Sequence, residues 1–189
     1  MIEKIHIFGA SGSGTTTLGQ ALAKRLGYQH LDTDNYFWLP TKPPFQSKRE
    51  VNERRKLLTQ DLNSTTRWIL SGSLCGWGDI FIPKFELVVY LWIPHALRMA
   101  RLGKREVERY GETELKRGGA MHAASNAFLE WADGYDEGGL DMRSYARHEQ
   151  WLADLPCKFL RLEGDLSVAE RVEAVLRETW MCLDNSKGE

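Results

Sequence analysis

The chain has 189 residues, 42% hydrophobic and 27% charged, with a net charge of −1 at pH 7. That length suits one domain with a sizeable core, and the composition is that of a globular protein. Near-neutrality excludes a general pull towards nucleic acid or an anionic membrane, so any anion site must be a local cluster. No apolar run is long enough to cross a bilayer.

Cys75, Cys157 and Cys182 are odd in number and lack zinc spacing, so they read as reduced thiols. Met1 leads straight into an apolar run with no signal-peptide pattern, and a cytoplasmic protein is expected.

Residues 2–8 predict a first strand and residues 17–26 a helix. Between them lies Gly-Ala-Ser-Gly-Ser-Gly-Thr-Thr, residues 9–16. This fits G-x-x-x-x-G-K-[ST] at every position but one, because Thr15 stands where the pattern asks for lysine. Successive backbone N–H groups at a helix N-terminus form an anion nest, and glycines let the chain wrap closely around an oxygen. Neither property needs the lysine. Gly9, Ser11, Gly12, Ser13, Gly14, Thr15 and Thr16 are therefore the candidate phosphate-binding residues. The Thr16 hydroxyl holds the position that ligates Mg²⁺ in such loops.

Residues 28–31 predict a second strand, followed by Asp32-Thr33-Asp34. Extended chain would turn both carboxylates to one face. One of the two then suits a metal-bound water near Thr16, and the other an acceptor hydroxyl or a general base. The competing reading is a pair of turn or cap aspartates. Tyr36, Phe37 and Trp38 follow at once and can stack on a ring or anchor a loop in the core.

After a proline-rich loop, residues 47–62 predict a polar helix and residues 67–70 a third strand. That strand ends in Ser71-Gly72-Ser73, small residues that permit close ligand approach, and makes Ser73 an acceptor-site candidate. It carries no acidic residue, which adds weight to Asp32 as the metal-site carboxylate. Residues 87–93 are apolar on both faces, as in a buried parallel strand. Pro94 opens a helix to about residue 110. Paired glycines at 118–119 and 138–139 bracket a helical segment. Residues 140–155 predict another helix, 158–162 a fifth strand and 168–180 a last helix, with a polar tail expected to fray from residue 184.

Arg98, Arg101, Arg105 and Arg109 share one helical face, and Arg143 and Arg147 form a second pair at helical spacing. Like charges so spaced repel, and an anionic partner would remove that cost. Arginines arriving from a lid stabilise a transferring phosphoryl group. Arg101, Arg105, Arg143 and Arg147 are the catalytic candidates together with Asp32. A solvated face paired with Glu106, Glu108 and Glu112 is the alternative for some of them. The five histidines show no ligand spacing and receive no role.

Strands alternating with helices imply an α/β fold: a doubly wound, five-stranded parallel sheet with helices on both faces. Ligands then bind beyond the carboxyl ends of the strands, which gathers residues 9–16, 32–38 and 71–79 in one place. Residues 110–140 are long for a connection, as lids are.

On these motifs the chain resembles the adenylate-kinase-like and shikimate-kinase-like small P-loop kinases, over nearly its whole length. It looks nearest to a bacterial subgroup loosely labelled adenylate kinase or topology-modulation protein. The resemblance implies one kinase-like domain over 1–189, an acceptor-binding region at 33–62, a lid within 110–140, and ATP·Mg²⁺ as donor. It also implies metal support by Asp32 and acceptor binding by Asp34, with Tyr36 or Trp38 beside it. The chain departs from the family at Thr15, and the full AMP-binding pattern of adenylate kinases is not matched. The expected activity is transfer of phosphate from ATP to a nucleoside monophosphate or other small molecule. A non-catalytic nucleotide-binding switch is the rival. A DNA-associated role ranks lower, because neither a helix-turn-helix nor a basic excess is present.

Overall fold

Leu87–Trp92 can be apolar on both faces because it lies inside the sheet, flanked by strands and covered by helices on each side. We describe a computed structural model covering residues 1–184, with side chains through residue 180. Residues 185–189, in the tail expected to fray, lie outside the described residues.

The strands are β1 (Lys4–Gly9), β2 (Gln29–Asp32), β3 (Trp68–Ser71), β4 (Leu87–Trp92) and β5 (Lys158–Glu163). All pair in parallel, in the order β2-β3-β1-β4-β5. The helices are α1 (Thr15–Leu26), α2 (Thr33–Phe37), α3 (Val51–Ser64), α4 (His95–Tyr110), α5 (Glu112–Leu115), α6 (His122–Asp133), α7 (Tyr145–Ala153) and α8 (Val168–Asp184), with a 3-10 turn at Asp79–Lys84. This is the doubly wound parallel sheet expected from the alternation.

Alternation along β1 divides the core. Ile5 and Ile7 join Leu18 and Leu22 of α1 and Val175 and Leu176 of α8 on one face. Phe8 joins Leu58 of α3, Trp68, Tyr90 and Leu152 of α7 on the other. Each large apolar side chain so buried contributes about 1.5–3 kcal/mol.

Two histidines belong to this second layer. The His6 ring stacks 4.8 Å from Phe85, and its Nδ1 donates to the Leu70 carbonyl. His148 meets the edge of Phe8 at 4.8 Å, and its Nδ1 is 2.7 Å from the Tyr135 hydroxyl. Burial lowers both pKa values to about 3. Unfolding restores the ordinary value near 6.5, so below that pH the unfolded chain binds protons that the folded chain refuses. Stability from these two groups is complete above pH 6.5. It is lost as pH falls from 6.5 towards 3, by about 1.4 kcal/mol per pH unit for each histidine. Urea melts at pH 7.5 and 5 should therefore differ, and His148→Phe should flatten the dependence. A pH-independent midpoint over that range would contradict the buried neutral state.

Three expected elements are placed differently. Helix α3 spans Val51–Ser64 with Glu50 at its N-cap, rather than starting near residue 47. Residues 33–37, read as loop, form the short α2. Helix α7 begins at Tyr145 rather than residue 140, because the Ser144 hydroxyl caps it by accepting from the Arg147 N–H at 3.1 Å.

Candidate active site

A cleft of about 1230 Å³ opens at the carboxyl ends of the strands. It exceeds the range that suits one small ligand. The loop between β1 and α1 forms its floor. Gly9 is held so closely that an added Cβ would lie 2.5 Å from the Leu91 carbonyl oxygen. Gly12 has φ +81°, and a Cβ there would lie 2.8 Å from the carbonyl of Arg98. Gly14, at φ +91°, turns the chain into α1. The first N–H groups of that helix have no intrahelical acceptor and face the cleft. Ser11, Thr15 and Thr16 line it. Ser13 differs from the expectation: it is fully buried and is not among the residues that line the cleft.

Asp32 is tied in from three directions. The Thr16 hydroxyl donates to its Oδ2 at 2.7 Å and the Ser71 hydroxyl to the same oxygen at 3.2 Å. The Asp34 N–H donates to Oδ1 at 3.0 Å. The Ser71 hydroxyl is in turn 2.9 Å from His30 Nε2. Asp32 is thus an α2 cap and a cleft residue at once. The cap reading holds for Asp32 alone, and it leaves the carboxylate on the cleft. The carboxylates do not share a face through extended chain, as was expected, because the chain turns into helix after Asp32.

Asp34 stands on the cleft wall. Crowding by protein and the charge of Asp32 push its pKa up, while Arg143, Arg105 and Arg109 pull it down. Trp38 also lines the cleft, 5.9 Å from Phe45. Arg109 lies 4.5 Å from the Phe45 ring, and the Tyr110 hydroxyl donates to the Pro44 carbonyl. The proline-rich loop therefore closes against the far end of α4. Ser73 and Cys75 complete this side. Burial pushes the Cys75 thiol up. Tyr36 does not belong to the cleft. It is buried in the core, and its hydroxyl donates to Asp61 Oδ2 at 2.6 Å.

The arginines separate by partner. Arg98 is fully buried and bonds Asp136 and the Ile93 carbonyl. Arg101 lines the cleft but pairs with Asp165 at 2.8 Å, and Arg109 pairs with Glu106 at 3.3 Å. Arg147 points away, donating to the Leu140 carbonyl. Arg105 and Arg143 both line the cleft, and among the described residues neither has a carboxylate within 4.0 Å. Arg143 reaches across the cleft, donating from Nη2 to the Ser11 hydroxyl at 2.8 Å, with its guanidinium 4.6 Å from the Trp131 ring. Its Nε is buried without an acceptor.

Glu106 overturns the solvated-face reading at its own position. It is 3% exposed and accepts from the Ser125 hydroxyl at 2.8 Å, which ties α4 to α6. Glu108 and Glu112 do pair at the surface, with Lys104 and Lys116.

Sequence reasoning missed Phe45, Glu106 and Arg171. Arg171, in the first turn of α8, lines the cleft and donates to the Ser13 carbonyl at 3.0 Å. A signal was available: the strand-end rule, applied to the loops after three strands, applies equally to residues 164–171 after β5.

With this geometry in place, comparison with known proteins is informative. The AAA domain family matches residues 5–122, more than half of the chain. The chain belongs to that family. The matched part runs from β1 to the first residue of α6. The protein YqaC of Bacillus subtilis (strain 168), described as uncharacterized, is 55% identical over 176 residues, which span 93% of this chain and 97% of YqaC. The cytidylate kinase of Pyrococcus abyssi is 30% identical over 116 residues, 54% of this chain and 60% of that enzyme. Shikimate kinase from Acinetobacter baumannii, solved in complex with shikimate, superposes with a TM-score of 0.58 at 19% identity, covering 98% of this chain and 95% of that one. The fold is that of the small P-loop kinases. No helix among the described residues is long and apolar enough to cross a membrane.

Proposed function

We propose that the chain is a cytoplasmic kinase that transfers the γ-phosphate of ATP·Mg²⁺ to a nucleoside monophosphate or another small anionic acceptor. The observation that carries this reading is the 2.7 Å hydrogen bond from the Thr16 hydroxyl to Asp32, at the α1 N-terminus. It sets two hard oxygen donors beside an anion nest. Mg²⁺ takes few protein oxygens and keeps waters and phosphate oxygens as its other ligands, so this donor set fits it. When bound, the ion neutralises charge on the β- and γ-phosphate oxygens.

The chain's own residues then divide the work. Loop N–H groups hold the triphosphate. Arg143 spans from the lid side to Ser11 and stabilises the charge that spreads over the transferred group. Asp34, its pKa raised by burial, orients the acceptor: it takes the proton of an attacking hydroxyl where the acceptor is an alcohol, and only positions a nucleoside monophosphate, whose ionised phosphate oxygen attacks without a base. Arg105 has no carboxylate partner and holds the acceptor's anionic group, with Trp38 and Ser73 beside it. In this reading residues 33–62 form the acceptor side, and residues 110–140 form a lid that excludes water on closing. A nucleotide-binding switch is the second reading, favoured by Thr15.

The two aspartates should fail differently. Asp32→Asn should lower Mg²⁺-dependent turnover with every acceptor. Asp34→Asn should lower acceptor efficiency about ten- to a hundredfold, the cost of a hydrogen bond to a charged group, while ATP·Mg²⁺ affinity stays near wild type. ATP titrations beside acceptor kinetics test this. Equal loss of nucleotide binding in both variants would refute the division, and unchanged kinetics would leave Asp32 and Asp34 as caps.

A further inference from the structure

Thr15 leaves the phosphate loop without the cation that its pattern normally carries. We infer that Arg171, from the opposite end of the chain, supplies that charge. The inference rests on the reading of residues 9–16 as the triphosphate site. It assigns a further phosphate-binding residue to that site.

Arg171 is 4% exposed, yet among the described residues no carboxylate lies within 4.0 Å of its guanidinium. Its bonds run to two backbone carbonyls, from Nη1 to Ser13 at 3.0 Å and from Nη2 to Gly164 at 3.4 Å. Neutral carbonyls do not cancel its charge, and a buried cation without a counter-ion is costly. Burial and the neighbouring Arg101 lower its pKa, and the more distant Asp165 carboxylate raises it only in part. Arg101 differs, because it is more exposed and pairs directly with Asp165 at 2.8 Å.

Position gives the charge its target. A Cβ built on Gly14 would lie 3.4 Å from Arg171 Nη1, with no other atom near enough to compete. The guanidinium therefore flanks the residue immediately before Thr15, at the start of α1, and lines the cleft. Arg143 approaches the same loop at Ser11, from the other side. Two guanidiniums without a carboxylate within 4.0 Å among the described residues thus approach the nest. The nest itself binds through N–H groups and helix dipole, whose partial charges fall short of a triphosphate's. Arg171 is preorganised by its carbonyl bonds and needs no lid movement to act. It can hold phosphate before any acceptor binds, as a loop lysine would.

A structural brace between the loop and α8 would predict a different pattern, so the test pairs removal with relocation of the charge. Calorimetric titrations of ATP·Mg²⁺ and of adenosine would be run on wild type, Arg171→Gln, Thr15→Lys and the double variant. Arg171→Gln should weaken ATP about ten- to a hundredfold and leave adenosine affinity unchanged. The double variant, with lysine restored to its usual place, should recover most of the ATP affinity. Unchanged ATP affinity in Arg171→Gln would overturn the inference. So would equal loss of ATP and adenosine, or no recovery in a double variant that melts as wild type. A wild-type protein that binds ATP through Arg171 but phosphorylates no acceptor would refute the kinase reading and leave this inference standing. A wild-type protein that binds no ATP would overturn both.

Discussion

Gly14→Val is expected to abolish measurable ATP binding. Valine is β-branched and must adopt φ +91°, which costs on the order of 1–3 kcal/mol even where space is free. Its branches would also press towards Arg171 Nη1, which lies 3.4 Å from the position of Cβ alone. The chain must relieve both by turning Gly14 out of its left-handed state, and the N–H groups of the nest then diverge. Thr15→Ala should weaken ATP only a few-fold, because the loop binds through its backbone. Titration with a non-hydrolysable ATP analogue compares the two, with thermal melts to check folding. If Thr15→Ala abolished binding and Gly14→Val retained it, the nest account would be wrong.

Arg143→Ala should lower turnover by on the order of a thousandfold and change ATP affinity only a few-fold, the pattern for a group that acts in the transition state. Arg105→Ala should fall between this variant and wild type, with its loss expressed as a raised KM for the acceptor. Arg101 is already paired with Asp165 and Arg147 points out of the cleft, so alanine at either should change turnover less than about fivefold. Since Arg143 packs on Trp131, a melt and the Arg143→Lys variant separate lost packing from lost charge. Lysine keeps the charge but not the fork that spans to Ser11, and should restore part of the rate. Equal, small losses at all four arginines would return them to structural roles.

The fold was legible because its signals are local. The unbroken apolar run of β4 and the glycine spacing after β1 each depend on consecutive residues, and the sheet follows from their alternation. The lining of the candidate site was legible only where one segment carries it. Gly9 to Thr16, Asp32 and Asp34 are short-range features, and they were read from the sequence. The roles of the arginines were not, because spacing on α4 cannot tell that Arg98 meets Asp136, Arg101 meets Asp165 and Arg109 meets Glu106. Tyr36 was misread for the same reason. Asp34 faces the cleft, but an offset of two residues on α2 turns Tyr36 to Asp61 and the core. Arg171 lies 158 residues from Ser13, and their hydrogen bond exists only once β5 has joined the sheet.

The central claim is transfer to an acceptor rather than ATP binding alone. The most direct measurement follows the γ-phosphate of labelled ATP·Mg²⁺ in the presence of single acceptors, with nucleoside monophosphates and small hydroxylated anions as the panel. The account predicts at least one acceptor that accelerates ADP formation and carries the label one-for-one with ADP, and loss of both signals in Arg143→Ala. Tight ATP binding with the label remaining on ATP, or appearing only as inorganic phosphate at the same rate with every acceptor, would contradict it.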